Sequence, residues 1–100
     1  LALTGEDLSA KSAHLYGLVN RLVEPGQALD TALELAEVIN ANAPLAVRAS
    51  RRVVLAAHLL GDDDAFALAA DATREVVGSE DFREGPRAFV EKRAPRWTGC

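Results

Sequence analysis

Phe89 and Lys92 stand three residues apart, on one face if the segment is helical. An aromatic ring can stack on a purine base, and a neighbouring ammonium can meet a phosphate. Taken alone, the pair reads as a core phenylalanine beside a solvated lysine. Arg48, Arg51 and Arg52 share a second helical face at i, i+3 and i+4. Three guanidiniums could grip phosphates. A solvated stripe paired with carboxylates of a neighbouring helix is the commoner use of that spacing. Asp62, Asp63 and Asp64 lack the alternating ligands, glycine and distal glutamate of a calcium loop. Acidic residues at a helix start already have a role at its positive dipole end, so no metal site is assigned. His14 and His58 have no second ligand at metal spacing and no serine or cysteine in a triad-like context. Both read as structural or surface histidines, and no residue is assigned as catalytic.

The elements that position these groups are helical. Ser79 is a good N-cap, and Glu80 and Asp81 follow it at the positive end of the helix. Gly85 is expected to stop that first turn. Pro86 is expected to restart the chain, its φ preset for a helical first turn. Phe82, Phe89 and Val90 are the expected apolar anchors, Lys92 and Arg93 the charges of the final turn, and Pro95 the stop.

Upstream, Leu1 to Gly5 reads as the end of a helix. Ser9 caps a short helix to Tyr16, which Gly17 closes in the left-handed conformation. Leu18 to Val23 is a candidate short strand, and Pro25-Gly26 a turn. Gln27 to Asn42 is amphipathic, with Leu29, Ala32, Leu33, Ala36 and Ile39 recurring at helical steps. Pro44 opens a helix running to about Leu60. Its second half is apolar nearly all round and is expected to be buried between neighbours. The aspartate triplet opens a further helix ending at Gly78. Short loops between these helices predict antiparallel neighbours.

Two blocks resemble the crotonase (enoyl-CoA hydratase/isomerase) superfamily. Ser79 to Trp97 reads S-E-D-F-R-E-G-P-R-A-F-V-E-K-R-A-P-R-W. It is similar to the family's S-E-D-x-x-E-G and A-F-x-E-K-R, followed by a proline and an aromatic. Leu3 to Val23 reads L-T-G-E-D-L-S-A-K-S-A-H-L-Y-G-L-V-N-R-L-V. It is similar to the family's L-T-G-x-x-[IL]-x-A-x-x-A-x-x-x-G-L-V-[ND] run. The blocks lie in family order at opposite ends, so the resemblance covers essentially the whole chain.

The resemblance implies a mostly α chain with at most one short strand, the helical C-terminal portion of a crotonase-like fold. The catalytic ββα core would be absent from it. Residues 1–24 would be the end of a core helix, a short helix and a short strand linking to the core. Residues 25–100 would form a C-terminal capping and oligomerisation region. The parent would act on an acyl-CoA thioester as an enoyl-CoA hydratase, a lyase. An enoyl-CoA isomerase or a truncated non-catalytic relative is the alternative. Coenzyme A is then part of the substrate, and no separate cofactor is expected. In that family the Phe and Lys of A-F-x-E-K lie near the adenine and 3′-phosphate of CoA, often bound to a neighbouring subunit. Phe89 and Lys92 match those positions. Homotrimers, often paired into hexamers, are also implied. The oxyanion-hole N–H groups and acid–base glutamates of hydratases belong to segments with no match here. Glu80, Glu84 and Glu91 belong to the terminal motif and are not assigned as catalysts. The chain alone is therefore expected to be catalytically silent.

Composition bounds the rest. Apolar residues at 49 % and charged ones at 26 % describe a folded chain rather than a disordered tail. A net charge of −4 weighs against a helical nucleic-acid-binding regulatory module with the Arg48 helix as reader, which remains the weaker alternative. No apolar run approaches the ~20 residues that span a bilayer, so no membrane partner is expected. Cys100 is the only cysteine and makes no intrachain disulfide, which fits a reducing, cytoplasmic setting. The chain has no methionine and begins on Leu1, so it is expected to be a piece of a longer protein.

Overall fold

The computed structural model describes residues 2–100. Five helices follow in order: α1 (Ala10–Leu15), α2 (Ala28–Asn40), α3 (Pro44–Ala57), α4 (Asp62–Val77) and α5 (Glu80–Glu91). Among the described residues there is no strand. Leu1, the first residue of the expected helix end, lies outside them, and Ala2 to Thr4 form a turn. The chain divides into a unit ending at Leu35 and a second over Ala36–Cys100.

In the first unit, Ser9 caps α1, its Oγ accepting from the Ser12 N–H at 3.1 Å. Gly17 closes the helix at φ +73°, where a Cβ would be strained. Leu18 to Val23, expected as a strand, instead runs through bends into irregular backbone. A strand needs a neighbour to share its ladder, and no described segment supplies one. One of its carbonyls finds a side chain instead: His14 Nδ1 lies 3.2 Å from the Val19 oxygen. The Nδ1–H tautomer would donate there, which is a structural use of that histidine.

In the second unit, Pro44 occupies the first turn of α3, where its missing N–H costs nothing. α3 packs against α4, and the alanines Ala49 and Ala72 are the buried residues of the two helices. Small side chains let the two backbones approach. Arg52 Nη2 crosses to Glu75 Oε2 at 2.7 Å, so one member of the arginine stripe pairs with a neighbouring helix. Arg48 reaches the Gly99 carbonyl at 3.4 Å. Asp62, Asp63 and Asp64 form the first turn of α4, at the positive end of its dipole. Among the described residues, no group of three or more potential ligands is placed to hold a metal.

The second half of α3 is not buried within this chain. Val54 is 71 % exposed, and Leu55 and Leu59 are exposed as well. Covering an all-round apolar helix takes neighbours on every side, and here α4 covers one. The whole chain exposes 8219 Å². A self-contained monomer of this mass would expose ~5,500 Å².

α5 also departs from the sequence reading. It is one helix with Pro86 inside it, not a turn stopped at Gly85 and restarted. Pro86 removes a single ladder bond, to the Phe82 carbonyl. Both ends are held independently: Ser79 Oγ accepts from the Phe82 N–H at 3.1 Å, and the far end closes in a left-handed reversal at Lys92. The expected anchors Phe82, Phe89 and Val90 are exposed, and the buried residues of α5 are Asp81 and Ala88. The helix ends at Glu91, four residues before Pro95, so Lys92 and Arg93 lie just past the final turn.

Candidate functional site at the end of α5

α5 is terminated by a left-handed residue, and that residue is Lys92, at φ 52° and ψ 41°. The Arg93 N–H donates back to the Ala88 carbonyl at 3.1 Å, and the Lys92 N–H to the Phe89 carbonyl at 3.3 Å. This pair of bonds defines a helix-ending reversal in which glycine usually takes the left-handed place. A side chain there costs about 1–2 kcal/mol of backbone energy. Lys92 is the only non-glycine residue with positive φ among the described residues. Phe89, three residues earlier, is 85 % exposed. The two residues singled out from sequence thus sit together at one exposed helix end, tied by a backbone hydrogen bond. A core role for Phe89 within this chain is excluded.

Behind this exposed end is a network that the sequence reading did not find. Arg93 grips Glu84 with two nitrogens, Nη1 to Oε1 at 2.5 Å and Nη2 to Oε2 at 3.0 Å. Its Nε donates to Glu91 at 2.5 Å. The Arg96 N–H adds a bond to Glu84 Oε1 at 2.8 Å. These donors, Arg93 first, pull the Glu84 carboxyl from its ordinary 4.5 to about 2. The Glu84 carboxylate, and then that of Glu91, raise the Arg93 guanidinium in turn. One turn back, Asp81 is 2 % exposed. It accepts from the Thr98 N–H at 2.7 Å, the Thr98 hydroxyl at 3.1 Å and the Gly99 N–H at 3.0 Å. The Thr98 N–H leads in holding its carboxyl below the usual range, partly opposed by desolvation. The Cys100 carbonyl accepts from the Glu80 N–H at 2.9 Å, satisfying a first-turn donor of α5. Trp97 Nε1–H donates to the Ala41 carbonyl at 2.8 Å. A Cβ on Gly85 would lie 3.6 Å from the Trp97 ring, so the ring rests against that glycine.

Asp81 and Glu84 are therefore structural acceptors that strap the tail to α5. The strap should fail in acid. Both carboxyls are depressed in the folded chain, so their stabilisation is complete above their unfolded values and is lost as pH falls through the folded ones. For Glu84 that window runs from 4.5 down to about 2. Trp97 is the only tryptophan and sits in the strapped tail, so its emission reports the release. Emission should shift between pH 4.5 and 2, at or before the loss of helical signal. Flat emission across that window would count against the strap.

Residues 1–100 match the enoyl-CoA hydratase/isomerase family along their whole length, and the chain belongs to that family. It is 44 % identical over 97 residues to the enoyl-CoA hydratase EchA19 of Mycobacterium tuberculosis, covering 97 % of this chain and 36 % of that protein. It is 37 % identical over 103 residues to the carnitinyl-CoA dehydratase of Proteus mirabilis, covering 99 % of this chain and 40 % of that one. Among solved structures, an enoyl-CoA hydratase from Mycobacterium tuberculosis H37Rv superposes with a TM-score of 0.95 at 50 % identity. All of this chain and 40 % of that one are covered. An enoyl-CoA hydratase from Bacillus anthracis superposes at 0.93 with 33 % identity, over 98 % of this chain and 38 % of its own. The five helices are thus a helical portion of a crotonase fold, and the chain spans about 40 % of the length of that Mycobacterium tuberculosis structure. No described helix is long and apolar enough to cross a membrane.

Proposed function

We propose that this chain is the CoA-contacting and subunit-packing portion of an acyl-CoA-processing enzyme that hydrates 2-enoyl-CoA thioesters. One observation carries the reading: an exposed aromatic ring, Phe89, and a lysine held in a left-handed backbone, Lys92, stand together at the end of α5. Backbone strain retained at a side chain that could be glycine fits a side chain with work to do. Phe89 offers a stacking face for adenine. Lys92 offers a point charge for the 3′-phosphate. Coenzyme A then enters as part of the substrate, with no separate cofactor. The relatives' names, hydratase and dehydratase, both concern water at a CoA substrate, which supports lyase over isomerase chemistry.

The exposed apolar faces of α3 and α5 support packing against the rest of the subunit and against other subunits, as a trimer or a hexamer. The exposed lone thiol of Cys100 supports a reducing, cytoplasmic setting. Arg48 and Arg52 commit their guanidiniums to Gly99 and Glu75, which leaves little of the stripe for nucleic acid.

The complete subunit is the material for the test. It should add water to crotonyl-CoA, and residues 1–100 alone should not, because the segments that carry the acid–base glutamates and oxyanion donors in hydratases have no match among them. Conversion of a 3-enoyl-CoA to its 2-isomer without hydration would overturn the hydratase reading. Turnover by the purified chain alone would overturn its assignment as a non-catalytic portion.

A further inference from the structure

Two backbone courses compete at the end of α5. In one, the helix continues through Lys92 and Arg93 until Pro95, whose ring disfavours helical backbone at Ala94. In the other, which the structure adopts, the chain reverses at Lys92 and Arg93 turns back along the helix. For a lysine the first course is locally cheaper, because it avoids the left-handed conformation. What favours the second lies outside Lys92. Arg93 meets Glu84, nine residues earlier, through two nitrogens. An uninterrupted helix would separate that pair by roughly 13 Å along its axis, too far for a two-pronged grip. The Glu84 side chain is 15 % exposed, and its Oε1 also holds the Arg96 N–H. It is the hub of the reversal, and both its oxygens are occupied by the segment that follows Lys92.

We propose that Glu84 is a positioning residue for Lys92: by holding Arg93 it keeps Lys92 left-handed and sets the direction in which its ammonium leaves the helix end toward the 3′-phosphate of CoA. The inference rests on the CoA reading of Phe89 and Lys92 given above. Glu84 touches no ligand in this account. Releasing its grip lets α5 lengthen, which rotates Lys92 into the helical barrel and turns its side chain away.

The test uses the complete subunit and two probes, CoA and 3′-dephospho-CoA. The ratio of their dissociation constants isolates the phosphate contact. Glu84→Gln keeps the size of the side chain and an acceptor for Arg96, but removes the charge that holds Arg93. It should reduce the preference for CoA by about fivefold, with much less change toward 3′-dephospho-CoA. Arg93→Lys keeps a charge but loses the fork, and should reduce the preference in the same way. In a Lys92→Ala background neither change should alter the ratio further, because the contact they orient is already gone. If Lys92→Ala lowers the preference while Glu84→Gln and Arg93→Lys keep the native ratio, the positioning role is overturned and the CoA reading stands. Equal weakening toward both probes in Glu84→Gln marks a purely structural residue and also overturns it. A native ratio in Lys92→Ala removes the phosphate contact and this inference with it, while the stacking role of Phe89 is judged by Phe89→Ala. Should Glu84→Gln fail to fold, Arg93→Lys decides the matter.

Discussion

Replacing Phe89 by alanine in the complete subunit should cost ~1–3 kcal/mol of CoA affinity, the range seen when an aromatic partner is removed from a stacked base. That is roughly a 5- to 150-fold rise in dissociation constant. The size follows from geometry. Phe89 is 85 % exposed in this chain, so its ring is free to give a whole face to a ligand. Lys92→Ala should weaken binding more at low salt than at high, because screening already erodes a surface phosphate contact. It should matter much less for 3′-dephospho-CoA. On the proposed reading, both side chains act on the handle of the substrate rather than on its reacting carbons. Remote binding energy can still support the chemical step, so some loss in kcat is compatible with the reading. The competing account makes Phe89 a contact residue between parts of the assembly. It predicts a lower melting temperature for Phe89→Ala with no selective effect on CoA, and no effect for Lys92→Ala. Unchanged CoA affinity in both variants would end the stacking and phosphate assignments together.

Residues 1–100 in isolation should self-associate and bind dyes that report apolar surface. The excess of exposed area over a self-contained monomer is of the order that a large subunit interface buries. Val54, Leu55 and Leu59 on α3 and at its end, and Phe89 and Val90 on α5, are exposed, while the buried apolar set is Ala49, Ala72 and Ala88. Three alanines supply little hydrophobic stabilisation, since burial stabilises in proportion to area and an alanine has little of it. The chain should therefore sediment as a mixture of oligomers at high concentration. A well-behaved monomer with no dye binding would contradict this.

Most of the helical architecture was legible because its signals are local. Ser9 and Ser79 announced α1 and α5 by capping chemistry, Pro44 announced α3, and Gly17 marked a left-handed stop. The family blocks singled out Phe89 and Lys92, which the structure brings together at one exposed helix end. What escaped was non-local. The Gly85-Pro86 pair looks like a break, and only the Trp97 ring against Gly85 and the support at both ends show how a helix survives there. Lys92 hid a helix end because the usual signal is glycine. Glu84 and Arg93 are nine apart, a separation with no meaning on a straight helix, so their pairing is visible only once the chain reverses. At the candidate strand it was β-branched composition that misled: Val19 and Val23 suggested a ladder, but no described neighbour completes one.

The bond from Trp97 to the Ala41 carbonyl joins residues 56 apart in sequence. Closing a loop of that length carries an entropic cost that is met only after the intervening α3 and α4 have folded and shortened the effective path. The tail is therefore among the last parts of the chain to find its place, later than helices held by local contacts. The bonds of Thr98 and Gly99 to Asp81 lie in the same tail and are expected at that late step, whereas Arg93 meets Glu84 across only nine residues and is free to do so early.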